Sequence, residues 1–171
     1  MFEYSLVDVA GMLYEQPNAL KYWIRWLGLA NMVCLFFVWK HKQARWVAVA
    51  MLVVAVANIP MAMALGLVKA LSIPHLVAWI PLTIYLAVEV RNRKIIPGSV
   101  FGIWVLLLIV TNTISVVFDI RDSIEYVAGD RAILAMSGIS IPYYTLAAIL
   151  LSIIALAVYC RINPFAKKMV G

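Results

Sequence analysis

The chain has 171 residues, of which 65% are hydrophobic and only 13% charged, with a formal net charge of +6. Soluble domains are about 45–50% apolar and about 25% charged, and a soluble chain this apolar would expose patches large enough to aggregate. The bilayer is therefore the expected solvent. Five spans of about 20 residues each would use about 100 residues, which leaves no room for a separate catalytic head. The excess of bases lies in short clusters beside apolar segments, so membrane topology accounts for it better than a nucleic-acid partner does.

Residues 1–17 are too polar to span. Phe2, Leu6, Val9 and Leu13 recur at helical spacing, which predicts a short interfacial helix. Its charges are Glu3, Asp8 and Glu15 with no base, unlike the basic start of a cleaved signal peptide. The first span is expected over about 20–39, opening with the aromatic and cationic run Lys21-Tyr22-Trp23-Ile24-Arg25-Trp26. The second is expected over about 46–68, the third over 73–90 and the fourth over 99–118. A polar excursion follows at 119–132, and a fifth span is expected at 138–160. The fold class is thus an all-α membrane bundle in one transmembrane domain, 18–171, with no internal repeat.

Charge sets the expected orientation. The loops near 40–45 and 91–94 and the C-terminal tail hold nine bases and the single acid Glu89, whereas the opposite side holds five bases and seven acids. The positive-inside rule then puts the N-terminus outside and the C-terminus in the cytoplasm, with a bacterial inner membrane as the expected location.

Several polar residues fall inside apolar spans: Asn31, Asn58, Thr83 and the run Thr111-Asn112-Thr113. An amide in hydrocarbon needs a partner. These residues serve either as interhelical bonds, worth about 0.6 kcal/mol each, or as a polar layer for a solute. Pro60 and Pro81 each remove a backbone donor and free the carbonyl four residues earlier, at Val56 and Val77. Such carbonyls can shape a gate or only a kink. Asp119, Asp122 and Glu125 follow one another at helical spacing and suggest an acidic vestibule that concentrates cations. A solvated face balanced by Arg121 and Arg131 is the plainer reading. The candidate cation pathway is therefore Asp119, Asp122, Glu125, Asn58, Asn112 and Thr111. Arg25 lies on the same side as Lys21 and within a span, where a charge normally needs a partner. Asp119 is the favoured one, and snorkelling to lipid phosphates is the alternative. Glu89 is expected to pair with Arg91 and Arg93. His75 stands alone as a metal ligand, and Cys34 and Cys160 read as small membrane-embedded hydrophobes. No resident metal or other cofactor is expected.

The sequence contains no HExxH, GxSxG, Walker or dinucleotide-binding glycine pattern. Three functions remain: a homo-oligomeric channel or transporter for inorganic cations, an accessory subunit of a membrane complex, and an embedded enzyme acting on a lipid or quinone. Self-association has local support in Ala62-x-x-x-Gly66 and Ala148-x-x-x-Ser152, which would let helices approach closely.

Overall fold

A computed structural model describes residues 2–132, which are all-helical with no strands. The expected fifth span, with Ala148, Ser152, Cys160 and the C-terminal bases, lies outside the described residues.

The first helix, α1 (Leu6–Glu15), is set by a capping box: the Ser5 hydroxyl accepts from the Asp8 amide at 3.2 Å, and the Asp8 carboxylate accepts from the Ser5 amide at 2.8 Å. The Ser5 hydroxyl also donates to the Asp8 carboxylate at 2.6 Å, and that bond, with the one from the Ser5 amide, holds the Asp8 carboxyl below its ordinary value. No residue of α1 is buried, as suits a helix lying at an interface. Its leading strand of chain is tied down by the Glu3 and Tyr4 amides, which donate to the Met63 carbonyl at 3.0 and 2.9 Å.

Among the described residues, three helices are long and apolar enough to cross a membrane: α3 (Lys42–Leu65), α4 (Ser72–Arg91, extended by a 3-10 turn from Lys69) and α5 (Val100–Val127). The expected first span is divided. An α-helix, α2, runs over Asn18–Met32, and a 3-10 turn follows over Val33–Phe36. At 1.5 Å per α-helical residue and 2.0 Å per 3-10 residue, the pair is about 30 Å long. Helix α5 continues past the expected fourth span, through the acidic stripe, to Val127. Pro60 and Pro81 both sit inside continuous helices, whereas Pro74 lies in the first turn of α4, where its missing donor costs nothing.

Helix α4 packs most extensively on α5, with α3 on the other side of α4 and α2 against α5. Side-chain contacts set α5 antiparallel to both α2 and α4: Trp23 meets Phe118 while Trp104 reaches the Ala30 carbonyl, and Ser72 meets Ser123 while His75 meets Asp119. The 37–41 and 92–99 connections therefore share one end, with the bases Lys40, Lys42, Arg45, Arg91, Arg93 and Lys94. The 66–71 connection and the end of α5 share the other.

The core is uneven along this axis. Toward the basic end it is apolar and tight, with Cys34, Ala44, Val47, Leu86, Val105 and Leu108 wholly buried. Phe37 stacks on Trp104 at 5.3 Å, and His41 stacks on Phe101 at 3.7 Å. At that end Glu89 is buried and accepts from Gln43 at 2.8 Å and Lys94 at 2.9 Å. The expected partners were Arg91 and Arg93. Arg91 is two residues along the helix and so points away, and Arg93 adopts a φ of 59°, which turns the chain and brings Lys94 back over the carboxylate. Glu89 in turn holds the Lys94 ammonium above its ordinary value through that hydrogen bond.

Gly102 makes the closest backbone approach. A Cβ there would stand 2.0 Å from the Ile96 carbonyl oxygen and 2.9 Å from the Pro97 Cα. Since both are backbone atoms, neither can swing aside. Gly102→Ala is expected to destabilise the bundle by about 1–3 kcal/mol, read as a lower midpoint of thermal unfolding in detergent. An unchanged midpoint would mean that the 95–102 turn does not close on α5 in this way.

Candidate functional site

Helix α5 carries Thr111, Asn112, Ser115, Asp119, Asp122 and Ser123, spaced by three or four residues, so that one face of the helix is polar over its last four turns. Thr111, Asn112, Ser115 and Asp119 are all buried. In hydrocarbon such a face must be covered by donors and acceptors on neighbouring helices. The contacts of α2 and α4, and of Lys69 just before α4, supply them.

The innermost pair joins α2 to α5. Asn31 and Asn112 are essentially inaccessible, and Asn31 Nδ2 donates to Asn112 Oδ1 at 3.1 Å and to the Leu27 carbonyl at 2.9 Å. The indole of Trp26 donates to the Thr111 hydroxyl at 3.3 Å. Further out, His75 of α4 sits between two helices. Its Nδ1 lies 3.2 Å from Asp119 Oδ1, and its Nε2 lies 3.0 Å from the Asn58 amide nitrogen on α3. Ser115 donates to the other oxygen of Asp119 at 3.2 Å. With the Asn58 amide as donor, Nε2 accepts, and the neutral imidazole must carry its proton on Nδ1 and donate it to Asp119.

Above this rung Ser72 meets Ser123 at 2.7 Å. Lys69, 6% exposed, closes the seam: its ammonium donates to Glu125 at 2.6 Å and also to Asp130. Arg121 adds a second bond to Glu125 at 2.7 Å. Sequence reasoning overlooked Lys69 and Ser72. Lys69 follows the apolar run of α3 and reads as an ordinary interfacial base; only its burial marks it as the clamp.

The predicted site residues are thus distributed unevenly. Asp119, Asn58, Asn112 and Thr111 all lie on the seam. The three carboxylates do not form one open vestibule: Asp119 is buried on His75, Asp122 is half-buried, and Glu125 is held by Lys69 and Arg121. No ion pair joins Arg25 to Asp119 among the described residues. The reason is angular. Trp23 faces α5, where its ring meets Phe118 edge-on at 6.2 Å. Arg25, two residues later, stands about 200° further round the helix and is exposed, beside Lys21 and α1 in a shallow cleft of about 130 Å³. His75 has an acid neighbour and an amide neighbour, and no group of three metal-binding side chains occurs among the described residues.

No known protein-family model matches the chain, and no curated protein or solved structure resembles it closely enough to match. The functional reading therefore rests on the seam itself.

Two outcomes test the seam as a structural object. Replacing Asn31 or Asn112 by leucine leaves the other amide buried without its partner, at about 1–3 kcal/mol, and the double replacement should cost less than the two added together. Unfolding equilibria in mixed micelles give these values, and strict additivity would exclude the pair. At the outer clamp, the hydrogen bond from Lys69 holds the Asp130 carboxyl below its ordinary value. A depressed carboxyl contributes stability that is complete above its unfolded pKa, about 3.9, and is lost as pH falls through the lower folded value. Acid melting of the wild type should therefore show this loss and Asp130→Asn should show less of it; identical acid curves would remove the clamp.

Proposed function

We propose that this chain is an integral membrane protein of five spans that self-associates and moves a cation across the bilayer by way of the α5 seam. The observation that carries the reading is the His75–Asp119 pair. A titratable imidazole and a carboxylate meet between two apolar helices, with Asn58 of a third helix closing the ring. Ionisable groups inside a membrane bundle are costly, and they mark ion and proton pathways far more often than they serve packing. The proline inside α4, Pro81, lies less than two turns from His75 and frees a backbone carbonyl within the same helix, which gives α4 a place to bend.

The proposed orientation keeps the N-terminus outside and the C-terminus cytoplasmic, in a bacterial inner membrane, on the charge asymmetry of the loops. Support for self-association comes from α3, whose Leu52, Val53, Val56 and Ile59 are all exposed apolar side chains. Lipid or a second copy can cover such a surface, and a symmetric axis gives a small bundle more room for a path than one chain encloses.

An accessory-subunit role is the second reading. It is favoured by the outer clamp, where Lys69 is satisfied by Glu125 and Asp130 within the chain, as packing alone would require.

Purified protein in liposomes separates the two. Wild type should dissipate an imposed cation or proton gradient, and Asp119→Asn, which keeps shape and hydrogen-bonding capacity, should reduce that flux by about 100-fold. Wild-type liposomes no leakier than empty ones would favour the accessory role. Orientation is checked by labelling with a membrane-impermeant thiol reagent, with Cys34 and Cys160 replaced by alanine. Ala128→Cys should react from outside and Lys40→Cys only after the membrane is opened. Both reacting from outside would reject the topology.

A further inference from the structure

The register of α4 on α5 extends the seam beyond the contacts already described. Lys69 meets Glu125, Ser72 meets Ser123 and His75 meets Asp119, so each advance along α4 is matched by a return along α5. One further turn brings Trp79 level with Ser115, and the next brings Thr83 level with Thr111 and Asn112. Three buried polar atoms near these levels have no partner among the described residues: Asn58 Oδ1, Trp79 Nε1 and Thr83 Oγ1. Two of them belong to α4 at one and two turns beyond His75, and the third belongs to the amide that touches His75 itself. Trp79 is 4% exposed, and its ring lies 6.3 Å from that of His75. Leaving such groups unpaired away from water is costly. Immediately past Thr83 the interface turns dry, with Leu86, Leu108 and Val105 wholly buried.

Resting on the cation reading above, we infer that the cation is a proton, taken up from the outer side along a hydrogen-bonded path that runs from the Lys69 clamp through His75 to Asn112 and stops at the Leu86–Leu108 plug. The rungs are bridged by direct side-chain bonds of 2.6–3.2 Å, which leave no bore for a hydrated metal ion. Both oxygens of Asp119 are already engaged, by His75 and Ser115, and are not offered as a cage to a hard cation. A proton needs no bore, only a chain of donors and acceptors.

Uptake balances at His75. A proton from outer water joins Nε2, the Nδ1–H stays on Asp119, and the imidazolium so formed is offset by the Asp119 carboxylate. The Asn58 amide then turns over, so that its unpartnered Oδ1 accepts from Nε2–H where its nitrogen had donated. Onward transfer moves the imidazolium's Nδ1 proton to Asp119, which leaves a neutral ring protonated on Nε2, and water held by the Trp79 indole N–H and the Thr83 hydroxyl continues the path from Asp119. The charged group in contact with His75 is Asp119 on α5; further out on that helix stand Asp122, Glu125 and Arg121, with Lys69 at the start of α4; α3 presents the neutral Asn58, and the cations of α2, Lys21 and Arg25, stand at its start beside α1.

The test uses the full chain in liposomes with a trapped pH-sensitive dye, and with sodium and potassium flux as separate arms. Wild type should collapse a pH gradient while carrying neither metal ion above the level of empty liposomes. Thr83→Val should slow proton flux by about tenfold, the loss of one bridging hydrogen bond, and Thr83→Ser should restore it; monodispersity and melting of each variant establish that it is folded. Asn58→Leu, which cannot reverse its donor and acceptor, should slow uptake more than Asn58→Gln. Sodium or potassium flux as large as proton flux would overturn the proton assignment and leave the cation reading standing. No flux of any cation would overturn both. Proton flux indifferent to Thr83→Val and Asn58→Leu would overturn the path.

Discussion

Everything in this bundle depends on one requirement: a polar stripe along α5 must be answered, group for group, by the helices around it. Water cannot do this inside hydrocarbon, and apolar side chains gain little by leaving one apolar medium for another. What brings the helices into a single arrangement is therefore the pairing of Asn31 with Asn112, of Asn58 and Asp119 with His75, and of Lys69 with Glu125 and Asp130. Each contact joins residues far apart in sequence, and each is lost if a helix rotates or slides by one turn.

The two halves of the bundle divide the work. Toward the basic end, small and branched residues pack between the seam and the buried Glu89–Gln43 pair, and Gly102 lets the 95–102 turn press on α5. That half resists solvent and fixes the helix ends. The other half tolerates charge because every buried ion there has an opposite neighbour or an amide. On the cation reading proposed above, a bundle dry in its middle and polar at its outer end would admit a small cation part-way and hold it. On the proposed reading full passage would require the dry half to rearrange, and Pro60 and Pro81 place weakened backbone hydrogen bonding in α3, which touches His75, and in α4, which carries it.

How much of this was legible in the sequence follows from what hydropathy and spacing encode. The long apolar helices and the interfacial segment follow from composition alone, and the polar residues of the seam stand out because amides and carboxylates are rare in such runs. Their partners do not stand out, because pairing depends on helix rotation and register. Arg25 shows the rotation problem: its depth matches that of Asp119, but Trp23 takes the face toward α5 and Arg25 points elsewhere. Glu89 shows the turn problem, since a left-handed residue at Arg93 decides which base comes back to it. His75 shows the register problem. It looks solitary along the chain and acquires Asp119 and Asn58 only when three helices meet. Lys69 gave no signal at all, because burial rather than residue type distinguishes it from other bases at helix ends.

The central claim is that His75 is held between Asn58 and Asp119 in the membrane, and nitrogen NMR of ring-labelled histidine in lipid addresses it directly. The chain has two histidines, so a His41 variant assigns the signals. The account predicts that neutral His75 carries its proton on Nδ1, with Nε2 as an acceptor, and that Asp119→Asn changes the Nδ1 shift. A neutral ring protonated on Nε2, or an Nδ1 shift indifferent to Asp119→Asn, would contradict it.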